Sequence, residues 1–393
     1  MKKQKRNKNW VQDYFFLIIP TPLEDELLSS WLTRMAMAHR RKLAVFLTLF
    51  VKQDGSSISR TDMDFLYDEK IFTALVSKSS LDKKELLKMS LRSEEGYLFT
   101  SHNSLYPPKQ IRKFTDKRTH YGLMFCPKCL AEDKIPYFRK KWRYYFYNAC
   151  PQHKVFLTDR CWACYEKIKL AKMSHLKEVC FCSKCERDLR LTITIPIQSN
   201  FEYGLKAVSW FEQGLDRGYF IINQQKIHSL FVFESFTKLC YLLNKKEKLN
   251  FEGFPLIEEY KAICKKLEKY DSKKALAIQK DFILTSMVYY LFQNYPNNLL
   301  DFAQQNNVTY REFTHQFKEM PFWYKKMIGE LVPMQNKIGR EISESEVNEA
   351  IKYLKSCGEV VNQKNVADVV SCHPTTHRGF KNIYKRLNFR NYE

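Results

Sequence analysis

The sequence lacks any apolar run long enough to cross a bilayer. The longest one near its start, YFFLIIP, falls far short of the roughly 20 residues that a spanning helix needs. MKKQKRNKNW ahead of it imitates the start of a secretory leader, but Asp13 breaks the junction and the apolar part is too short, so no leader is expected. The usual enzyme signatures are missing too: there is no Walker A loop, H-E-x-x-H, G-x-S-x-G or G-x-G-x-x-G. No fixed-period repeat or low-complexity tract is present. Acidic residues are in short supply, 43 against 65 Lys and Arg, leaving a formal charge of +22. That surplus points to a polyanionic partner, nucleic acid first, rather than to a merely lysine-rich surface. With 393 residues, 45% of them hydrophobic, the chain can bury several cores, roughly two to four subdomains.

Cysteine is the residue most unevenly spread. Of 12 cysteines, eight crowd between Cys126 and Cys185, whereas Cys240, Cys264, Cys357 and Cys372 are scattered singly. A disulfide scaffold does not cluster cysteines this way in a long chain, so the pattern predicts a reducing, cytoplasmic setting and bound metal. Cys126-x2-Cys129 is followed twenty residues later by Cys150-x2-His153. Cys161-x2-Cys164 is followed seventeen residues later by Cys182-x2-Cys185, a zinc-ribbon spacing, with Cys180 as an alternative to Cys182. Each pair of pairs supplies four thiolate or imidazole ligands to a tetrahedral ion, and zinc suits that set. Filled by protein ligands, both sites read as structural, for two Zn2+ that fold a segment too polar to fold alone. A zinc deaminase would need an H-x-E upstream of its P-C-x-x-C, and none lies there. FRKKWRYYFY, inside the first loop, interleaves Arg139, Lys140, Lys141 and Arg143 with aromatics. It reads either as a nucleic-acid surface or as a strand whose aromatics cover the metal while its charges face solvent.

Periodicity places helices on either side of this module. PTPLEDELLSSWLTRMA predicts a helix opened by Pro22 and the acids Glu24, Asp25 and Glu26, and a second is expected from Ser80 to Leu91. LRLTITIPI reads as a β-like piece, and the chain turns helical from about residue 201. The fold class expected is mainly α with small zinc-ribbon β elements. The organisation expected is a basic tail (1–13), an N-terminal helical domain (14–121), a double zinc-finger module (122–200), a helical domain (201–335) and a C-terminal helix-turn-helix (336–393).

The last of these rests on ESEVNEAIKYLKSCGEVVNQKNVADVVSCHPTTHRGFKNIYKRL. Ser343 or Ser345 caps a first helix and Gly358 ends it. Val366, Ala367 and Val370 face inward from a short second helix, and Pro374 opens a third with Phe380, Ile383, Tyr384 and Leu387 buried. A helix-turn-helix presents the start of its third helix to the major groove, here Thr375, Thr376, His377 and Arg378, with Lys381, Lys385 and Arg386 available for phosphates. The alternative is a three-helix protein-binding module with a solvated basic face. A weaker echo of the same rhythm lies in NLLDFAQQNNVTYREFTHQFK, around Val308-Thr309.

Together these blocks resemble the TniQ family of transposition proteins, which also includes the TnsD target selectors. Pro20, Pro22, Glu26, Ser30, Trp31, Leu32 and Arg34 match the family's opening block, P-x-P, an acidic step and S-W-L-x-R. FCPKCLAEDKIPYFRKKWRYYFYNACPQHKVFLTDRCWAC matches its C-P-x-C-L, W-R, C-P-x-H and C-x-x-C block, so the likeness covers about 14–190. Tyr165 and Glu186 stand where shorter members carry glycine after the second pair and after Cys185, which predicts less regular knuckles. The resemblance implies a non-enzymatic adaptor that selects the target for insertion and links it to an AAA+ ATPase. It implies either direct reading of a DNA site or docking, often as a homodimer, on an RNA-guided CRISPR effector complex, in the bacterial cytoplasm near the nucleoid. A helix-turn-helix transcription regulator and a zinc-dependent nucleic-acid enzyme are the competing readings.

Overall fold

In the computed structural model the opening block folds one turn later than its acids suggest. Helix α1 spans Leu28–Ala38, and Leu27 precedes it with no side-chain cap. Glu26 is drawn out of the first turn because its carboxylate is already engaged. It accepts hydrogen bonds from the Leu23 amide (3.1 Å), Ser30 Oγ (2.9 Å) and Arg34 (2.6 Å) and is buried. The structure describes residues 18–51, 62–65, 69–100, 107–113, 122–245, 250–269, 273–314, 320–326, 329, 342–370 and 378–389. The basic tail and the segment 114–121 lie outside them. The chain divides into two units, Met1–Asn307 and Val308–Glu393. Among the described residues it is mainly α-helical, with two separate pairs of short antiparallel strands. None of the helices among the described residues is long and apolar enough to cross a membrane.

In the first unit, α1 packs with α2 (Leu43–Phe46), α3 (Glu69–Lys78) and α4 (Lys83–Met89) around Trp31, Leu32, Phe46, Phe72 and Leu86. The helix expected over Ser80–Leu91 is the shorter α4, because Asp82 and Glu85 form a capping box that fixes its start. The cysteine-rich region contributes α5 (Pro127–Glu132) and a hairpin of β1 (Ala149–Cys150) and β2 (Val155–Phe156).

LRLTITIPI does not form the expected strand. It makes a 3-10 turn at Leu189–Leu191 and then runs extended, touching β2 only through Val155↔Pro196 and the Phe156 amide to the Ile195 carbonyl. Leu191, Ile193 and Ile195 are exposed, so only the two ends of its alternating pattern, Leu189 and Ile197, are buried.

The helical region opens with α6 (Glu202–Arg217), ended by Gly218 at φ 75°. A hairpin that periodicity alone did not suggest follows: β3 (Tyr219–Ile222) pairs with β4 (Gln225–His228), and Asn223 and Gln224 both take positive φ at its turn. Helices α7 (Ser229–Lys245), α8 (Ile257–Lys269) and α9 (Lys273–Phe292) build a core rich in phenylalanine, including Phe211, Phe220, Phe233 and Phe236. At Gly204 of α6 an added Cβ would lie 2.2 Å from the Phe282 ring, so glycine there permits the close crossing with α9. The β1–β2 hairpin packs on this helix too, with the Phe156 and Phe282 rings 5.1 Å apart. Helix α10 (Asn297–Gln305) completes the unit.

In the second unit, after the short α11 (Tyr310–Thr314), helices α12 (Glu344–Ser356), α13 (Gln363–Val369) and α14 (Arg378–Phe389) share a core of Val347, Ile351, Val366, Ala367, Phe380 and Tyr384. The weaker echo around Val308-Thr309 falls across the division between the units.

Candidate metal centres and nucleic-acid interface

Two groups of four metal-ligating side chains stand out, and each brings its ligand atoms within 4.8 Å of one another: Cys126, Cys129, Cys150 and His153, then Cys161, Cys164, Cys182 and Cys185. A tetrahedral ion with metal–sulfur bonds of about 2.3 Å sets its sulfurs about 3.8 Å apart. In the first group Cys129 and Cys150 Sγ lie 3.7 Å apart, and His153 Nδ1 is 3.3–3.4 Å from all three sulfurs. In the second group Cys161 and Cys185 are 3.5 Å apart and Cys164 and Cys182 3.6 Å. Both donor sets therefore fit a tetrahedral cation. All cysteines among the described residues are free thiols.

The first centre is assembled from a helix start and a hairpin. Pro127 opens α5, which carries Cys129, while Cys150 ends β1 and the turn after it brings back His153. Hydrogen bonds from Cys126 and Cys129 pull the Cys150 thiol down to about 2, whereas sharing with Cys126 and Cys150 pushes Cys129 far up. His153 Nε2 lies 2.8 Å from Glu132 on α5. The approach makes no hydrogen bond, since Nε2 is buried without a hydrogen-bond partner; Nδ1 is the ring nitrogen that faces the three sulfurs. Sequence spacing offered no reason to single out Glu132.

The second centre uses two matching turns. Tyr165 N–H donates to the Cys161 carbonyl and Glu186 N–H to the Cys182 carbonyl, both at 3.0 Å. The two residues take φ 56° and 54°. The knuckles are therefore as regular as glycine would make them, contrary to expectation, at a backbone cost of about 1–2 kcal/mol per residue. Cys180 stands outside the group: it is buried beside Glu178, its Sγ 3.5 Å from that carboxylate, and burial pushes its thiol up to about 12.

FRKKWRYYFY is neither a strand nor a free basic surface. Lys140–Arg143 form a 3-10 turn, and Trp142, Tyr144 and Tyr147 are buried. Every cation in it meets a carboxylate: Arg139 with Asp133 (2.6 Å), Lys140 with Glu94 (2.9 Å), Lys141 with Glu212 (2.9 Å) and Arg143 with Asp62 and Asp64 (3.1 Å to Asp64). Arg143 also donates to the Arg112 carbonyl, and Asp64 accepts from the Ser29 amide (2.7 Å) and hydroxyl (2.8 Å). Arg112 in turn bonds Asn148 and reaches Asp281 on α9 at 2.9 Å. The opening block joins the same network, through the Phe138 amide to Ser30 Oγ (3.0 Å) and the Leu27 amide to the Phe138 carbonyl (2.8 Å). Buried polar bonds thus tie α1, the first metal loop and α9 together.

In the second unit Ser343 caps α12 in a capping box with Glu346, and Asn362 caps α13. Arg378 begins α14, along which Lys381, Lys385 and Arg386 are exposed while Phe380, Tyr384 and Leu387 are buried. Thr375, Thr376 and His377, like Pro374, lie outside the described residues.

A family model described as TniQ matches residues 17–157, which takes in the opening block and the whole first metal centre and ends ahead of the second. No curated protein matches the chain.

Proposed function

We propose that the chain, whose residues 17–157 match the TniQ family model, is a transposition-associated target-selection adaptor that contacts target DNA directly through its C-terminal unit. In this reading α12–α14 form a helix-turn-helix. Helix α14 lies at the major groove, and Thr375, Thr376, His377 and Arg378 read base edges while Lys381, Lys385 and Arg386 hold phosphates. The observation that carries it is the sidedness of α14, whose basic residues are exposed opposite its buried Phe380 and Tyr384.

The first unit is the scaffold of this reading. Cys126, Cys129, Cys150 and His153 would hold one zinc and Cys161, Cys164, Cys182 and Cys185 a second. The ions would supply folding free energy, at an apparent ~10–16 kcal/mol each in small peptides, and no chemistry. With all four positions of each centre taken by protein atoms, no open coordination site remains for a substrate. The link to an AAA+ ATPase rests on the TniQ resemblance alone.

The test is a duplex titration of the full chain over a salt series, paired with selection from a random-sequence pool. Enrichment of one motif is the expected result. Salt-sensitive binding with no enriched motif would overturn direct reading and turn attention to an RNA-guided effector complex as the reader.

A further inference from the structure

We propose that an open cleft between the end of α1 and segment 175–181 takes one nucleotide unit of a nucleic-acid strand, its phosphate against Arg40, His175 and Lys177. The cleft has a volume of about 840 Å³ and is lined by residues of the first unit. Its walls combine cations with flat apolar surfaces, chiefly Pro136, Leu176 and Phe181. A phosphate beside a base or sugar needs that combination, and an isolated inorganic anion does not.

Arg40 is the informative residue. The Arg40 amide donates to the Met37 carbonyl (2.8 Å) and the Arg41 amide to the Ala36 carbonyl (2.9 Å), which makes a full Schellman ending for α1. That ending wants glycine at its left-handed position, yet Arg40 occupies it at φ 51°. Preference for a cation near a helix C-terminus is already met by the exposed Arg41 and Lys42 that follow. The strained position therefore places a guanidinium at the cleft where folding alone favours no side chain.

The other groups agree. His175 lines the cleft, and its Nδ1 is buried without a hydrogen-bond partner. Lys177 lies 3.2 Å from Glu186 but keeps about a third of its side chain exposed, and its ammonium sits 5.1 Å over the Phe181 ring, so its charge borders an aromatic face. Glu178, the one acid in the lining, faces Arg190 at 3.6 Å, and Arg34 is committed to Glu26 at 2.6 Å.

The test measures fluorescently labelled oligothymidylate against the full chain carrying Lys381→Ala and Lys385→Ala, so that the basic face of α14 does not mask the cleft. Adding Arg40→Gly or Lys177→Ala should each weaken binding about tenfold and take about 0.7 from the salt slope. Glycine suits φ 51°, so the melting temperature of the Arg40→Gly protein should not fall. Unchanged affinity in both variants would overturn the proposal. So would competition by polyglutamate as effective as that by unlabelled oligothymidylate of equal charge, because the cleft would then bind an acidic peptide and not a nucleotide.

Discussion

Two stretches of this chain look alike on paper. FRKKWRYYFY and RGFKNIYKRL both mix cations with aromatics, and either could be drawn as a nucleic-acid surface. In the fold they differ completely. The first is spent inside the protein: Arg139, Lys140, Lys141 and Arg143 each meet a carboxylate, and Arg143 is buried. The second keeps Lys381, Lys385 and Arg386 exposed on one side of a helix whose aromatics face a core. The difference is made by acids far away in the sequence. Asp62, Asp64, Glu94 and Glu212 come to the first stretch through folding, and composition within a short window does not reveal them. A basic-aromatic run is evidence for a polyanion partner only after its internal partners have been counted.

The strongest way to break this contrast is to release the first stretch. Cys129→Ser should lose one metal equivalent, measured by elemental analysis. It should also unfold the loop between Cys129 and Cys150 and so expose those four cations to nonspecific duplex binding. Zinc content equal to that of the unaltered chain would refute the first centre as drawn. Arg143→Ala should come next, costing about 3–5 kcal/mol in denaturant unfolding, because it leaves Asp62 and Asp64 buried without their cation.

A smaller effect concerns Asp25, which sits beside this stretch and accepts from the Lys140 amide through its carbonyl (2.7 Å). Burial pushes its carboxyl up to about 7, against the pull of Lys140 and Lys141. The folded state therefore binds this proton more tightly than the unfolded state. Its contribution to stability is fully present below pH 4 and is lost as pH rises toward 7, by up to about 1.4 kcal/mol per pH unit. Asp25→Asn should flatten that part of the stability profile, and an unaltered slope would remove Asp25 as its source. The smallest change should come from Lys381→Ala, which should leave the melting temperature in place and take about 0.9 from the duplex salt slope.

How much of this could be read in advance follows the distance between partners. The two four-residue clusters that could hold a metal were legible because each pair lies within four residues and fixes its own turn. Only the choice between Cys180 and Cys182 needed the fold. The cores of α1 and of α12–α14 were legible from their 3.6-residue spacing. The β3–β4 hairpin was not, because Asn223-Gln224 makes the turn where Asn-Gly would have announced it. LRLTITIPI misled because alternation marks a strand only when a neighbour covers one face. Tyr165 and Glu186 misled in the other direction, since they accept a left-handed backbone that glycine would take without strain. The Asp64–Arg143 pair was out of reach, being 79 residues apart in the chain and joined only by tertiary packing.

The most direct test of the contrast is the salt dependence of duplex binding in two double variants, Lys381→Ala with Lys385→Ala and Lys140→Ala with Lys141→Ala. The slope should fall by about two units in the first, at about 0.9 for each phosphate no longer neutralised, and stay at the unaltered value in the second. The reverse pattern would contradict the account, placing the duplex on the metal loop and leaving α14 as a surface for some other partner.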